Sequence, residues 1–372
     1  MPRYALRLRR FTPETRPDAW WQDVEVELDA HRSVLDAILE ARERDGTLAI
    51  RFSCRAAICG SCGVRVNGRS GLACHTQLGE AAATASGGVI VVEPLGNMPV
   101  LKDLIVDMDP VHWAKVASVQ PWLVGADPGR ELEYEVAHET MVDVTQAMAC
   151  IQCGACVSDC LSLEVDPAFV GPAALAKAYR FAADPRDADH EGRLRRLAED
   201  PHGLYDCTHC FACIEACPKG VAPMNQIMRL RRMATTDHAI DDGNNGRRHE
   251  HGFVANVRRN GLLHEAELLT DSYGGRLHPR TVPVLLESLT AVSRALRRRK
   301  VGLRDALGHP HRGRFPEIAR YVDEIEGRPE RVELNLYVSG YDDEDPGAVA
   351  SAPSGEDGAN AATGPNPRRR RP

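Results

Sequence analysis

The sequence lacks the features that would mark several common protein classes. No stretch reaches the run of about 18 apolar residues that a membrane-crossing helix needs. Residues 1–14, MPRYALRLRRFTPE, carry charge without an apolar core, so they do not read as a secretory signal peptide. There is no basic excess. The net charge of −7 and a pI near 6.1 argue against a nucleic-acid partner. No phosphate-binding G-x-x-x-x-G-K-[ST] loop occurs, and no G-x-G-x-x-G follows a strand into a helix. No nucleophile–base pattern stands out. These absences leave a cytosolic protein of two or three domains within 372 residues.

Cysteine is abundant. Its 12 copies fall at 54, 59, 62 and 74, at 150, 153, 156 and 160, and at 207, 210, 213 and 217. Clustered thiols in a reducing compartment bind metal or do redox chemistry more often than they form disulfides. Cys54, Cys59, Cys62 and Cys74 form C-x4-C-x2-C…C, the plant-type pattern for a 2Fe-2S cluster. Zinc ribbons instead favour paired C-x2-C knuckles. Gly60 and Gly63 let the backbone wrap closely there, and Arg55 would offset cluster charge. The other two groups each read C-x2-C-x2-C-x3-C, the bacterial ferredoxin run, with Pro218 following the second. In such proteins the fourth cysteine of each run ligates the other cluster, because three closely spaced thiolates grip one face of a cube and the fourth comes from elsewhere. The expected sets are Cys150, Cys153, Cys156 and Cys217 for one 4Fe-4S cluster, and Cys160, Cys207, Cys210 and Cys213 for the other. Three redox centres with no visible substrate site describe a wire between partners.

Around the cysteines, residues 3–10 alternate with period two and predict a strand, as do Val24, Val26 and Leu28. Ser33 predicts the N-cap of a helix running to Arg44, Asn67-Gly68 a hairpin, and residues 88–93 a further strand. Helices are expected at 172–182, 190–200, 219–233 and 283–300, with two short ones broken at Gly261. The boundaries read as a mixed β domain over 1–105, a proline-broken connector over 106–140, a helical domain over 141–240, a helical extension over 241–340 and a disordered tail over 341–372. Arg297, Arg298, Arg299 and Lys300 close an amphipathic helix. They fit anionic lipid or an acidic partner, but the plainer reading is a solvated helix end. His249, His251 and His264, and Met224, Met228 and Met233, read as packing or surface residues.

The ligand runs, with RFSCRAAICGSCGVRVNGRSGLACHT (51–76), EPLGNMPVLKDLIVDM (93–108), WAKVASVQPWL (113–123) and FVGPAALAKAYRFAADPRD (169–187), resemble the iron–sulfur subunits of succinate dehydrogenase and fumarate reductase over about residues 3–235. The resemblance implies an α+β chain: a β-grasp 2Fe-2S ferredoxin domain, then an all-α dicluster ferredoxin domain, here with a helical C-terminal extension. It implies electron transfer between the FAD of a flavoprotein subunit, which would hold the dicarboxylate site, and quinone or menaquinone at a membrane anchor. The chain would then sit peripherally on the cytoplasmic face through its partners. The family's third centre is usually 3Fe-4S, matched by Cys160, Cys207 and Cys213. Cys210 stands where an apolar residue is usual, which predicts 4Fe-4S, with 3Fe-4S if Cys210 is not a ligand. Many members carry Pro and aromatic residues after the ligand matched by Cys160, and His after that matched by Cys207. Here Leu161, Ser162, Leu163 and Thr208 follow, which puts the usual quinone pocket in doubt and admits a cysteine-rich acceptor subunit. The competing readings are the iron–sulfur subunit of a heterodisulfide-type reductase and a stand-alone ferredoxin-like carrier.

Overall fold

The computed structural model describes residues 1–125, 136, 138–237, 245–275, 278–298 and 315–326. The expected tail at 341–372 and part of the connector lie outside those residues.

The first half is a twisted sheet with a helix across it. Strand β1 (Arg3–Thr12) pairs antiparallel with β2 (Arg16–Glu27) and parallel with β5 (Val89–Glu93). Strands β3 (Gly63–Val66) and β4 (Arg69–Leu72) complete the order β2-β1-β5-β3-β4. Period two puts Leu6 and Leu8 of β1 on the inner face, where both are fully buried. Each contributes roughly 1.5–3 kcal/mol by leaving water. They meet α1 (Val34–Arg44), whose Val34, Leu35 and Ile38 share one stripe. Ser33 caps α1: its hydroxyl accepts the Asp36 N–H at 3.1 Å while the Asp36 carboxylate accepts the Ser33 N–H at 3.1 Å. Asn67 and Gly68 turn β3 into β4 with φ of 50° and 80°, the left-handed pair that a two-residue hairpin requires. A short helix α2 (Leu78–Ala83) and the hairpin β6 (Val100–Lys102) with β7 (Ile105–Val106) close this half.

In the turn of this hairpin, Asp103 is wholly buried. It accepts from Arg10 Nε at 3.0 Å and from the Phe11 and Ala49 N–H groups at 2.9 Å. Arg10 is answered a second time by Asp45 at 2.9 Å.

The second half is helical: α3 (Ala114–Ser118), α4 (His138–Met148), α5 (Ala155–Ser158), α6 (Leu161–Val165), α7 (Pro172–Ala182), α8 (His190–Glu199), α9 (Ala212–Glu215) and α10 (Pro223–Arg232). Its core is α7 against α10, through Leu175, Tyr179, Ile227 and Leu230. Pro172 opens α7 with its φ already set and no N–H to lose. Buried Arg193 of α8 pairs with Asp187 at 2.9 Å and donates to the carbonyls of Gln120 at 2.7 Å and Trp122 at 2.6 Å, clamping the connector. The helix expected over 219–233 begins four residues late, because Gly220 and Ala222 take φ of 63° and 49° before Pro223 opens the turn.

Beyond residue 245 come α11 (Asn245–Asn260), α12 (Glu265–Ser272), α13 (Thr281–Arg297) and α14 (Pro316–Glu326). The break at Gly261 is left-handed, with φ 79°. α11 is longer than expected, and α14 was not anticipated as a separate helix.

Candidate iron–sulfur sites

The first thiol group lies on an irregular loop between α1 and β3. Left-handed φ values at Arg55 (55°), Ala57 (56°) and Gly60 (74°) turn successive N–H groups inward, a concavity suited to negative charge. Cys54 Sγ accepts from Ala56 and Ile58 at 3.4 Å and from Cys59 at 3.3 Å. Cys74 Sγ accepts from Ala57 at 3.3 Å. The Ser61 hydroxyl and the Cys54 N–H draw the Cys59 thiol down to about 6, so its thiolate is favoured. Burial, with Cys74 and Cys59 beside it, pushes Cys62 up to about 12. The Arg55 guanidinium stacks over Phe52, 5.1 Å from the ring centroid.

The second and third groups repeat one backbone. In the run from Cys150, the residues two and four positions on, Gln152 and Gly154, have φ of 58° and 79°; a short helix, α5, follows. In the run from Cys207 the matching residues, His209 and Phe211, have φ of 55° and 64°, and α9 follows. Phe211 accepts the left-handed conformation without glycine's freedom, at a cost of about 1–2 kcal/mol. Cys210 therefore occupies in its loop the place Cys153 occupies in the other.

Cys150, Cys153, Cys156 and Cys217 line one cavity, together with His112, Gln152 and Lys219. Burial raises Cys150, lifts Cys153 to about 11 and drives Cys156 well above the ordinary range, and thiolates from the same group add to each shift. Gln152 Nε2 donates to Cys150 Sγ, and the Val221 N–H to Cys217 Sγ, both at 3.4 Å. Buried His112 beside them has its pKa lowered to about 4 by desolvation, with the Gln152 side chain opposing the shift. In the last group, burial raises Cys160 to about 11 and also raises Cys207 and Cys213. Cys210 acts electrostatically on all three. Cys156 and Cys213 also interact, which brings the second and third groups within electrostatic reach of each other.

Four half-buried thiols around one cavity, Cys150, Cys153 and Cys156 among them raised by desolvation, suit a polynuclear iron centre. Isolated thiols in such places would stay protonated, and a bound cation removes those protons. All twelve cysteines are free of disulfides.

Three supports could not be found from motifs. Asn97 Nδ2 donates to the carbonyls of Val157 at 2.9 Å, Ser158 at 3.2 Å and Cys160 at 2.9 Å, fixing the second run to the sheet half. Arg231 donates to the Cys207 carbonyl at 2.9 Å and to His209 Nε2 at 2.6 Å, and reaches Glu250 of α11 at 3.3 Å. Ser162 and Thr208 face each other at 3.4 Å, hydroxyl to hydroxyl, beside Cys160 and Cys207. Each pairing joins residues tens of positions apart, so no local pattern announces it.

Comparison with known proteins finds two matching cluster-binding domains and several relatives. Residues 5–113 match the family model of a 2Fe-2S iron-sulfur cluster binding domain, and residues 146–221 that of a 4Fe-4S dicluster domain. The fumarate reductase iron-sulfur subunit of Mycobacterium tuberculosis is 39% identical over 243 residues, 64% of this chain and 96% of the relative. The succinate dehydrogenase iron-sulfur subunit of Coxiella burnetii is 34% identical over 227 residues, 60% of this chain and 94% of the relative. A chain of the Mycobacterium smegmatis Sdh1 complex in the apo form superposes with a TM-score of 0.57 at 25% identity, covering 64% of this chain and 98% of that one.

Proposed function

The chain belongs to the family of succinate dehydrogenase and fumarate reductase iron–sulfur subunits, and from that premise we propose its ligand sets, its domain limits and its partners. It is an electron-transfer subunit of such an oxidoreductase complex and carries 2Fe-2S and 4Fe-4S clusters, three in all. The stand-alone carrier and the heterodisulfide-type subunit are not favoured, since these relatives are named as subunits of succinate dehydrogenase or fumarate reductase.

In the proposed assignment Cys54, Cys59, Cys62 and Cys74 hold the 2Fe-2S cluster. Cys150, Cys153, Cys156 and Cys217 hold the first 4Fe-4S cluster, and Cys160, Cys207, Cys210 and Cys213 the second. The observation that carries the last set is the repeated backbone, which gives Cys210 the loop position of Cys153. When bound, the clusters supply one-electron donation and acceptance. The protein's residues hold and tune them. N–H groups of Ala56, Ala57, Ile58 and Val221 direct partial positive charge at the sulfurs, and Arg231 braces the loop of the third site.

The proposed domains are residues 1–105, with the 2Fe-2S site, and 141–240, with the other two, joined by 106–140 and followed by the extension. The proposed donor is the FAD of a separate flavoprotein subunit that holds the dicarboxylate site. The proposed acceptor is reached past the third site, at a membrane-side subunit on the cytoplasmic face. No described helix is long and apolar enough to cross a membrane.

Low-temperature EPR of the anaerobically purified complex, with an iron count, tests this reading. Succinate is expected to bring up a reduced 2Fe-2S signal, and iron to reach about ten atoms per chain. A 3Fe-4S signal as isolated, with about nine irons, would remove Cys210 from the ligand set. A sample that dithionite reduces and succinate leaves unchanged would overturn the partner assignment.

A further inference from the structure

Helix α13 carries an apolar stripe that the described residues leave uncovered. Val282, Leu285, Leu286, Leu289, Val292 and Leu296 recur at three- and four-residue spacing and so share one face. All six are exposed, between 36% and 61%. A helix of 17 residues is ordinarily stabilised by burying such a stripe. Here the attachment is elsewhere. Thr281, fully buried, donates its hydroxyl to the Gly275 carbonyl at 2.7 Å and anchors the first turn. Val284 and Ser288, on another side of the helix, are half-buried. The stripe is therefore directed away from the body of the protein.

Charge selects what covers it. The helix holds one acidic residue, Glu287, which falls opposite the stripe. Its far end carries Arg294, Arg297 and Arg298, and the sequence continues with Arg299 and Lys300. Cations at a helix C-terminus suit the helix dipole, but the dipole gives no reason for six exposed apolar side chains beside them. An apolar stripe bordered by Arg297, with Arg294 and Arg298 on the polar face beside Glu287, in a chain of net charge −7, matches a surface that is apolar within and anionic at its rim. We propose that α13 lies along an anionic lipid bilayer, with its leucines and valines in the acyl boundary and its guanidinium groups on lipid phosphates. This gives the chain a lipid contact of its own, separate from any anchor subunit and independent of the cluster assignment.

The test is vesicle flotation of the full-length, cluster-loaded chain. Vesicles are phosphatidylcholine alone, or phosphatidylcholine with about 30% phosphatidylglycerol, an anionic content chosen to give a negative surface. The chain is expected to float with the anionic vesicles, and to leave them as salt rises. The triple variant Arg294→Gln, Arg297→Gln, Arg298→Gln is expected to weaken binding by about a hundredfold. The double variant Leu286→Glu, Leu289→Glu is expected to abolish it. These side chains are exposed, so visible absorbance of the clusters should be unchanged in both, and the arginine variant decides the matter if the glutamate variant fails to fold. Binding that is absent, or equal for neutral and anionic vesicles, overturns the proposal. So does a glutamate variant that breaks a dimer in sedimentation while vesicle binding persists, which would make a second copy the occupant. Loss of a partner subunit from the purified complex, with vesicle binding intact, would make that subunit the occupant and overturn it equally.

Discussion

Gly60 meets Cys153 with no room between them. A Cβ on Gly60 would stand 3.1 Å from both the Cα and the Cβ of Cys153 and 3.0 Å from the Ile151 carbonyl oxygen. The loop of the first thiol group is thus in backbone contact with the loop of the second. For an electron carrier that contact matters, because it keeps the first two sites close without a side chain between them.

Gly60→Ala is therefore expected to cost more than a left-handed alanine alone. The φ of 74° costs about 1 kcal/mol, and displacing the Cys153 loop adds roughly 1–3 kcal/mol. Gly68→Ala is the control, since it has φ 80° and nothing within 4 Å. It should lose only about 1 kcal/mol. Denaturant unfolding of the two variants measures the difference, and equal losses would contradict the close contact.

Asp103→Ala leaves Arg10 buried against Asp45 and strips the Phe11 and Ala49 N–H groups of their acceptor. Removing one partner from a buried pair costs about 3–5 kcal/mol. Thermal unfolding should fall accordingly, with the 2Fe-2S half losing its structure first.

Asn97→Gly keeps the left-handed backbone, φ 59°, and removes only the amide. The carbonyls of Val157, Ser158 and Cys160 lose their common donor. A loss of about 1–3 kcal/mol is expected, with faster hydrogen exchange in α5. Unchanged exchange there would show that the amide does not hold the second run in place.

Acid should weaken the helical half through Asp184 and Asp187. Hydrogen bonds from Arg186 and Arg180 overcome burial and hold Asp184 well below the usual carboxylate range; Arg193 and the Val124 and Asp189 N–H groups lower Asp187 against its burial. With the folded pKa below the unfolded one, the unfolded chain binds more protons over the interval between them, so stability rises with pH there. These pairs contribute in full above about pH 4–5 and lose their contribution as pH falls through the folded values. In Asp184→Asn the stability curve should be flatter below about pH 4.

Much of the site is legible along the chain because its geometry is local. Three cysteines within seven positions need only a few consecutive backbone angles, so the spacing Cys150, Cys153, Cys156 carries its loop with it. Alternation at Leu6 and Leu8, the Ser33 cap and the Asn67-Gly68 turn are likewise decided by neighbours. The late start of α10 is different. It follows from Gly220 and Ala222 being held left-handed, with the Gly220 carbonyl accepting from Gln146 at 2.9 Å, seventy-four positions away.

The sequence by itself determined the chemistry: twelve thiols in three spaced groups, and a chain with one sheet-forming and one helical half. Only the tertiary structure decided what meets what. It set Gly60 against Cys153 and tied the extension to the third site through Arg231 and Glu250. It also left the leucines of α13 facing outward. A helical period shows that apolar residues share a face, but whether that face is covered depends on which distant segments reach it.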